Sequence, residues 1–64
     1  MLEQTHISEQ FQALLNLEQQ AQRLYEQLHA KVGDRIVAAQ LDQLRRDKQR
    51  HIQLIQRLLE IVEE

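Results

Sequence analysis

Gly33 is the only residue of this 64-residue chain that readily interrupts a helix, because the sequence contains one glycine and no proline. The stretches on both sides are rich in Gln, Leu, Glu and Arg, which lose little rotamer freedom in a helix. The segment AKVGDR, residues 30–35, therefore predicts a turn, in which Gly33 takes the left-handed conformation that ends one helix and Asp34 caps the next. The expected fold is all-α, an antiparallel helical hairpin.

Capping residues predict where the helices begin and end. Thr5 or Ser8 is expected to cap helix one, which would run over about residues 6–31; the turn would take residues 32–34 and helix two residues 35–62. Residues 1–4 are expected to form a loose lead-in. No linker or composition shift divides the chain, so residues 1–64 are predicted to form a single domain.

Apolar residues recur at steps of four and three along both predicted helices, which is typical of a packed helical bundle. The stripe of helix one is Ile7, Phe11, Leu14, Glu18, Ala21, Tyr25, Leu28 and Val32, and that of helix two is Val37, Leu41, Leu44, Lys48, His51, Ile55, Leu58 and Val62. Both are widened by flanking apolar residues, namely Leu15, Leu17, Leu24, Ile36, Ala38, Ile52 and Leu59. Two helices cannot cover stripes this wide between themselves.

A chain this short buries little apolar surface and usually needs a disulfide, a metal or a partner to become stable. The absence of cysteine excludes disulfides and thiolate metal sites, which leaves association as the favoured solution. We expect two hairpins to dimerise into a four-helix bundle, since a twofold dimer presents the same apolar face to itself.

Charge and hydropathy restrict the partners. The net charge of −2 does not favour a nucleic-acid or anionic-membrane binder. The chain has neither an apolar run of about 18 residues, as a membrane span needs, nor a basic-then-apolar leader. A soluble, cytoplasmic homo-oligomer without a membrane partner is expected, and a further protein partner stays open because the Gln-rich outer faces could accept another helix.

Three polar residues interrupt the stripes at one level of the predicted hairpin. Positions equally far from a turn near residue 33 lie side by side in an antiparallel pair, so Glu18 should face Lys48, with His51 one turn further along. Polar residues at such positions commonly specify the register and the oligomeric state of a bundle, which is the structural interpretation of this layer.

The segments LNLEQQAQRLYEQL and LDQLRRDKQRHIQLIQRLL resemble the helical hairpin of the ferritin-like superfamily, in its rubrerythrin-type branch, over about residues 14–59. In that family a Glu is followed seven residues later by a Tyr, and the next helix carries Glu-x-x-His, all facing inward to hold two irons. Glu18, Tyr25 and His51 match this motif and complete the predicted polar layer with Lys48. Two-helix members of the superfamily complete their bundle by dimerising.

Lys48 departs from the family motif, because it stands where the family has its second ligand Glu. A protonated lysine is not a metal ligand, and Asp47 lies about 100° round the helix, where it substitutes poorly. We therefore hypothesise that the ammonium of Lys48 replaces the metal, neutralises Glu18 and makes the chain a homodimeric structural or interaction module without a cofactor.

Two other functions stay open at this point. A symmetric dimer could bring two copies of Glu18 and His51 together as ligands for iron, manganese or zinc, as in a two-helix ferritin-like metal protein. The segment RRDKQR offers Arg45, Arg46, Lys48 and Arg50, as in hairpin RNA-binding regulators, although Asp42 and Asp47 dilute this charge. Catalytic motifs are absent from the sequence, which therefore favours a function other than that of an enzyme.

Overall fold

The structure is a computed structural model that describes residues 2–64, without the side chains of residues 2 and 4. It consists of two α-helices, α1 (Leu2–Lys31) and α2 (Arg35–Glu63), packed along their length as an antiparallel hairpin. The described part of the chain contains no strand, and its principal extents are 50 × 14 × 11 Å. The predicted helical hairpin is confirmed.

The connection between the helices is short and is fixed by hydrogen bonds to the first turn of α2. Asp34 has an extended backbone (φ −85°, ψ 127°), and its Oδ1 accepts hydrogen bonds from the backbone N–H of Ile36 at 2.8 Å and of Val37 at 3.0 Å. These bonds satisfy two of the donors that a helix N-terminus leaves without partners. The predicted capping role of Asp34 is confirmed.

The predicted left-handed conformation of Gly33 is wrong, because no residue between 2 and 64 has a positive φ. The Val32 N–H still donates to the Leu28 carbonyl oxygen at 3.1 Å, in the i to i−4 pattern of the helix. The chain therefore leaves α1 without the reversal that a left-handed glycine supplies, and the extended Asp34 redirects it into α2. A Cβ at Gly33 would meet no atom within 4 Å.

Helix α1 begins earlier than the capping residues predicted. It starts at Leu2, so Thr5 and Ser8 lie inside the helix rather than at its N-cap, and the expected lead-in of residues 2–4 is helical; Met1 lies outside the described residues. The segment contains no helix breaker, and Glu3 in the first turn interacts favourably with the positive end of the helix dipole.

The contact between the helices uses one edge of the predicted stripes. The buried residues are Leu15, Ile52, Ile55 and Leu59, with Phe11 packed against them. We define the intrachain seam as the rows at spacings of three and four that include them: Ser8, Phe11, Leu15, Glu18, Gln22, Tyr25 and Val32 in α1, and Ala38, Leu41, Arg45, Lys48, Ile52, Ile55, Leu59 and Val62 in α2.

Half of each predicted stripe lies outside this seam. Ile7, Leu14, Leu28, Val37 and Leu44 are exposed, although the spacing placed them in the same stripe as residues of the seam. The reason is geometric: the apolar arc of each helix is wider than one helix–helix contact, so α1 and α2 cover one edge of it and leave the other.

The connection predicts opposite effects of two alanine substitutions. Gly33→Ala should raise the free energy of unfolding by about 0.4–1 kcal/mol, since it restricts the unfolded chain at a site with negative φ and free space. Asp34→Ala should lower it by about 0.5–2 kcal/mol through loss of the cap. Urea unfolding followed by circular dichroism measures both, and a destabilised Gly33→Ala variant would contradict the observed turn conformation.

Candidate functional site

Glu18, Lys48 and His51, which we call the polar trio, meet near the middle of the hairpin. The Lys48 Nζ lies 3.2 Å from both carboxylate oxygens of Glu18, donating a hydrogen bond to Oε1 and forming an ion pair with Oε2. The His51 Nδ1 lies 3.2 Å from the Glu18 Oε2. Because a carboxylate only accepts, this nitrogen must carry a hydrogen, as it does in the imidazolium and in one neutral tautomer.

The three side chains of the trio differ in exposure. Glu18 and Lys48 are largely covered, with 15% and 23% of their side chains exposed, whereas the His51 side chain is 53% exposed. Partial burial by itself raises the pKa of Glu18, but the hydrogen bonds and positive charges of Lys48 and His51 outweigh it and hold this pKa below its ordinary value. Glu18 is therefore ionised at neutral pH and balanced by the ammonium.

The fourth residue predicted for this layer lies apart from the other three. Tyr25 is half-buried in the intrachain seam, two turns along α1 from Glu18. Within residues 2–64, no hydrogen bond joins Tyr25 to the trio. The structure therefore brings together Glu18, Lys48 and His51, and it leaves Tyr25 as a packing residue between the helices.

The donor set of one chain does not fit a di-metal centre. Among the described residues, no group of three His, Asp or Glu side chains is placed to hold a metal ion. Glu18 and His51 supply two donors, but the Lys48 ammonium lies against the same carboxylate oxygens that a cation would use. The Asp47 carboxylate is bonded within α2, where its Oδ1 accepts a hydrogen bond from the Gln43 Nε2 at 3.0 Å.

The arginines of RRDKQR are paired with acidic neighbours on α2. Asp42 accepts from Arg45 and also forms an ion pair with Arg46 at 2.8 Å, and Arg50 lies 3.9 Å from Asp47. The hydrogen bond from Arg45 and the charges of both arginines hold the pKa of Asp42 below its ordinary value. The positive charge of this segment is thus largely compensated where it lies.

A second feature, which we call the free apolar face, runs along the whole hairpin. Its residues are exposed or half-buried and lie outside the intrachain seam: Ile7, Leu14, Leu17, Leu24 and Leu28 of α1, and Val37, Leu44, Leu54, Leu58 and Ile61 of α2. Leu17 is 61% exposed and Leu54 is 58% exposed. Near one end, Ile7, Gln10, Phe11 and Leu14 line an open pocket of about 170 Å³.

Both helices contribute to the same side of the hairpin. On each helix the free rows are displaced from the seam rows by about 100° in the same rotational sense, and the helices run in opposite directions, so both displacements point to one side. His51 belongs to a free row and reaches Glu18 from that side. On the opposite side Gln22 donates a hydrogen bond to Gln49.

The polar trio therefore lies where the intrachain seam meets the free apolar face. The spacing of the sequence placed the three residues at one level, but it did not separate the side of the seam from the free side. The sequence does not predict the Gln22–Gln49 hydrogen bond, because two glutamines among many carry no distinguishing signal. Within residues 2–64, neither helix combines the length and the hydropathy needed to span a bilayer.

Comparison of the chain with protein-family models, with curated proteins and with solved structures finds no match to any of them. The ferritin-like resemblance thus stays a prediction drawn from Glu18, Tyr25 and His51. The free apolar face and the contacts of the polar trio support the functional interpretation that follows.

Glu18 predicts an acid dependence of stability. A carboxyl whose pKa is lower in the folded chain stabilises the fold above its unfolded pKa, ordinarily 4.5, and this contribution is lost as the pH falls through the lowered value. As the pH falls through this range, we expect the free energy of unfolding of Glu18→Gln to decrease less steeply than that of the wild type. At neutral pH the variant should lose roughly 1–3 kcal/mol, between the values for exposed and buried ion pairs.

Unfolding by urea at a series of pH values tests this prediction. Glu26→Gln, the same change at an exposed glutamate of α1, is the matched control. Equal pH slopes for Glu18→Gln and the wild type would show that the trio does not contribute this stability.

Proposed function

We propose that this chain is a cytoplasmic homodimeric structural or interaction module, in which two hairpins associate through their free apolar faces into a four-helix bundle. Its relation to the rubrerythrin-type branch of the ferritin-like superfamily is part of the proposal, with Lys48 in place of a ligand Glu. The polar trio then acts as a register device rather than as a redox centre.

The observation that carries this proposal is the continuous free apolar face. It holds large aliphatic side chains at seven-residue spacing on both helices, and all the exposed large hydrophobic residues of the described chain except Ile36 belong to it. Isolated exposed leucines are ordinary, but a contiguous apolar surface along a whole molecule marks an interaction site. A second copy offers a surface of the same length and width.

The small core of the single hairpin supports the same proposal. Only four residues of the described chain are buried, and three of them lie on α2 in the half of the hairpin away from the turn. Burial of one leucine stabilises a fold by roughly 1.5–3 kcal/mol. Four buried side chains therefore give little stability to a chain of 64 residues. Dimerisation would bury the free apolar face, and folding would then be coupled to dimerisation.

The position of the trio supports its role in register. Of the three, His51 reaches the free side, with the Glu18–Lys48 pair directly beneath it, so a partner displaced by one turn would place leucines over the imidazole that contacts this pair. Leaving a buried charge without its partner is costly, whereas the pair itself adds little net stability. The trio therefore selects among alternative alignments of the dimer.

Introducing a charge in the free apolar face tests dimerisation. Leu24→Glu should raise the dimer dissociation constant by roughly 100-fold or more, since each dimer loses two buried leucines and gains two carboxylates. Gln53→Glu adds the same charge on the polar side of α2 and should leave the dimer intact. Sedimentation velocity over a concentration series measures both variants; a monomeric wild type, or an unaffected Leu24→Glu dimer, would contradict the proposal.

Restoring the missing carboxylate tests the ferritin-like relation. Lys48→Glu should bind iron or manganese at micromolar concentrations while the helical dimer is retained, because it removes the ammonium and completes a Glu-x-x-His set with His51. Lys48→Gln removes the charge without adding a ligand and is the control. Titration calorimetry with Mn²⁺ measures binding.

Two results would redirect this interpretation. A folded Lys48→Glu dimer that binds no metal would contradict the ferritin-like relation. Conversely, about one equivalent of iron, manganese or zinc per wild-type dimer, lost on Glu18→Ala, would favour the metal-protein function over a structural one. Elemental analysis of protein purified without a metal-binding tag measures this.

A further inference from the structure

We infer that the second copy docks with its turn at the opposite end of the bundle, about a twofold axis that crosses the helices near Leu17. This inference rests on the proposed dimer and specifies its orientation. Two face-to-face arrangements are compatible with the free apolar face: one places both turns at the same end, and the other places them at opposite ends. Both keep every neighbouring pair of helices antiparallel, so the apolar residues alone do not choose between them.

The charges of the hairpin are distributed unevenly along its length. The end formed by the chain termini carries Glu3, Glu9, Glu60, Glu63 and Glu64, against Arg57 as the nearest basic residue. The half that contains the turn, residues 19–47, carries five basic against four acidic residues, with Lys31 and Arg35 flanking the turn and Asp34 within it. Opposite charges steer association and like charges oppose it, so this asymmetry bears on the orientation of a second copy.

Two of these charged residues lie on the free apolar face. Glu3 and Lys31 stand at the two ends of the row that contains Gln10, Leu17 and Leu24, at seven-residue spacing along α1. Both side chains are exposed. They are equally distant from Leu17, with fourteen positions on either side.

With the turns at opposite ends, α1 of one copy lies against α1 of the other. Residues equally distant from the axis near Leu17 then face each other, which places Lys31 beside Glu3 of the other copy, twice per dimer by symmetry. Leu17 then faces its own equivalent, Ile7 comes within one residue of Leu28, and Leu24 lies beside Gln10. The charges at the two ends of the row are therefore complementary, and its centre is apolar.

Helix α2 gives an independent match. The level of Leu17 on α1 corresponds to that of residues 48–49 on α2, as the Glu18–Lys48 contact shows. An axis at this level places Asp47 of one copy opposite Arg50 of the other. Asp47 continues the row of Leu54 and Ile61 on the free apolar face, and Arg50 lies at its outer edge. The half-exposed His51 also comes to lie near the second copy's Asp47.

With both turns at the same end, α1 lies against α2 of the other copy instead. Lys31 would then lie at the level of Asp34 and Arg35, and Glu3 at the level of Glu63 and Glu64, of which Glu64 continues a row of the free apolar face. Lys31 would have no acidic partner on that face, and the acidic ends of the two copies would come together twice. Electrostatic complementarity thus favours opposite ends.

The distance between the two turns distinguishes the arrangements. The chain lacks cysteine, and the exposed Gly33 has free space around it, so a nitroxide on Gly33→Cys reports the turn alone. Double electron–electron resonance on the dimer should give a distance approaching the 50 Å length of the hairpin. Turns at the same end would lie within roughly 20 Å, since packed helices are 8–10 Å apart.

A short distance would overturn the orientation and leave the dimer itself standing. The absence of any dipolar coupling, together with a monomer in sedimentation velocity, would overturn the proposed dimer and the orientation with it. The two failures are therefore distinguishable in one sample.

Charge reversal tests the same inference without a label. Lys31→Glu should weaken the dimer by roughly 2- to 30-fold, the range for two exposed ion pairs, and adding Glu3→Lys to it should restore the affinity. Arg23→Glu, which makes the same reversal of charge on the polar side of α1, is the matched control. In the same-end arrangement Lys31 would have no acidic partner to lose, so a Lys31→Glu dimer that is not weakened would overturn the inference.

Discussion

The apolar arc of each helix is wider than one neighbouring helix can cover, and this excess gives the hairpin two apolar surfaces with different roles. The intrachain seam takes one edge of the arc, with Leu15, Ile52 and Ile55 as its buried centre. The other edge forms the free apolar face, which both helices present on the same side because they run in opposite directions. A hairpin with a narrower stripe would have no such face and no physical reason to associate.

The polar trio lies at the boundary between these two surfaces, and its properties follow from that position. Glu18 and Lys48 lie within the seam, where burial by itself raises the pKa of Glu18, and the hydrogen bonds and charges of Lys48 and His51 outweigh this effect and lower it. His51 approaches from the free side and keeps half of its surface exposed. A partner on the free apolar face would therefore cover His51 without disturbing the pair beneath it, which connects the register of the dimer to the alignment within each hairpin.

The ammonium of Lys48 gives this hairpin a charge balance that does not require a metal. In a carboxylate-rich bundle core, bound cations offset the acidic ligands, whereas here a tethered cation 3.2 Å from Glu18 does so. A lysine at the position of a ligand carboxylate would thus change what the core of a bundle can do chemically while keeping a polar layer at the same level.

The sequence alone predicts the helical hairpin, the turn at residues 32–34, the Asp34 cap and the common level of Glu18, Lys48 and His51. These features depend on local propensity and on counting residues from a single break, so no long-range information was needed. Spacing did not reveal that Leu15 and Ile52 are buried while Leu14 and His51 are not, because neighbouring positions of a wide apolar arc satisfy the same pattern. Only the packing of α1 on α2 decided which edge became the seam, and with it where the free apolar face lies.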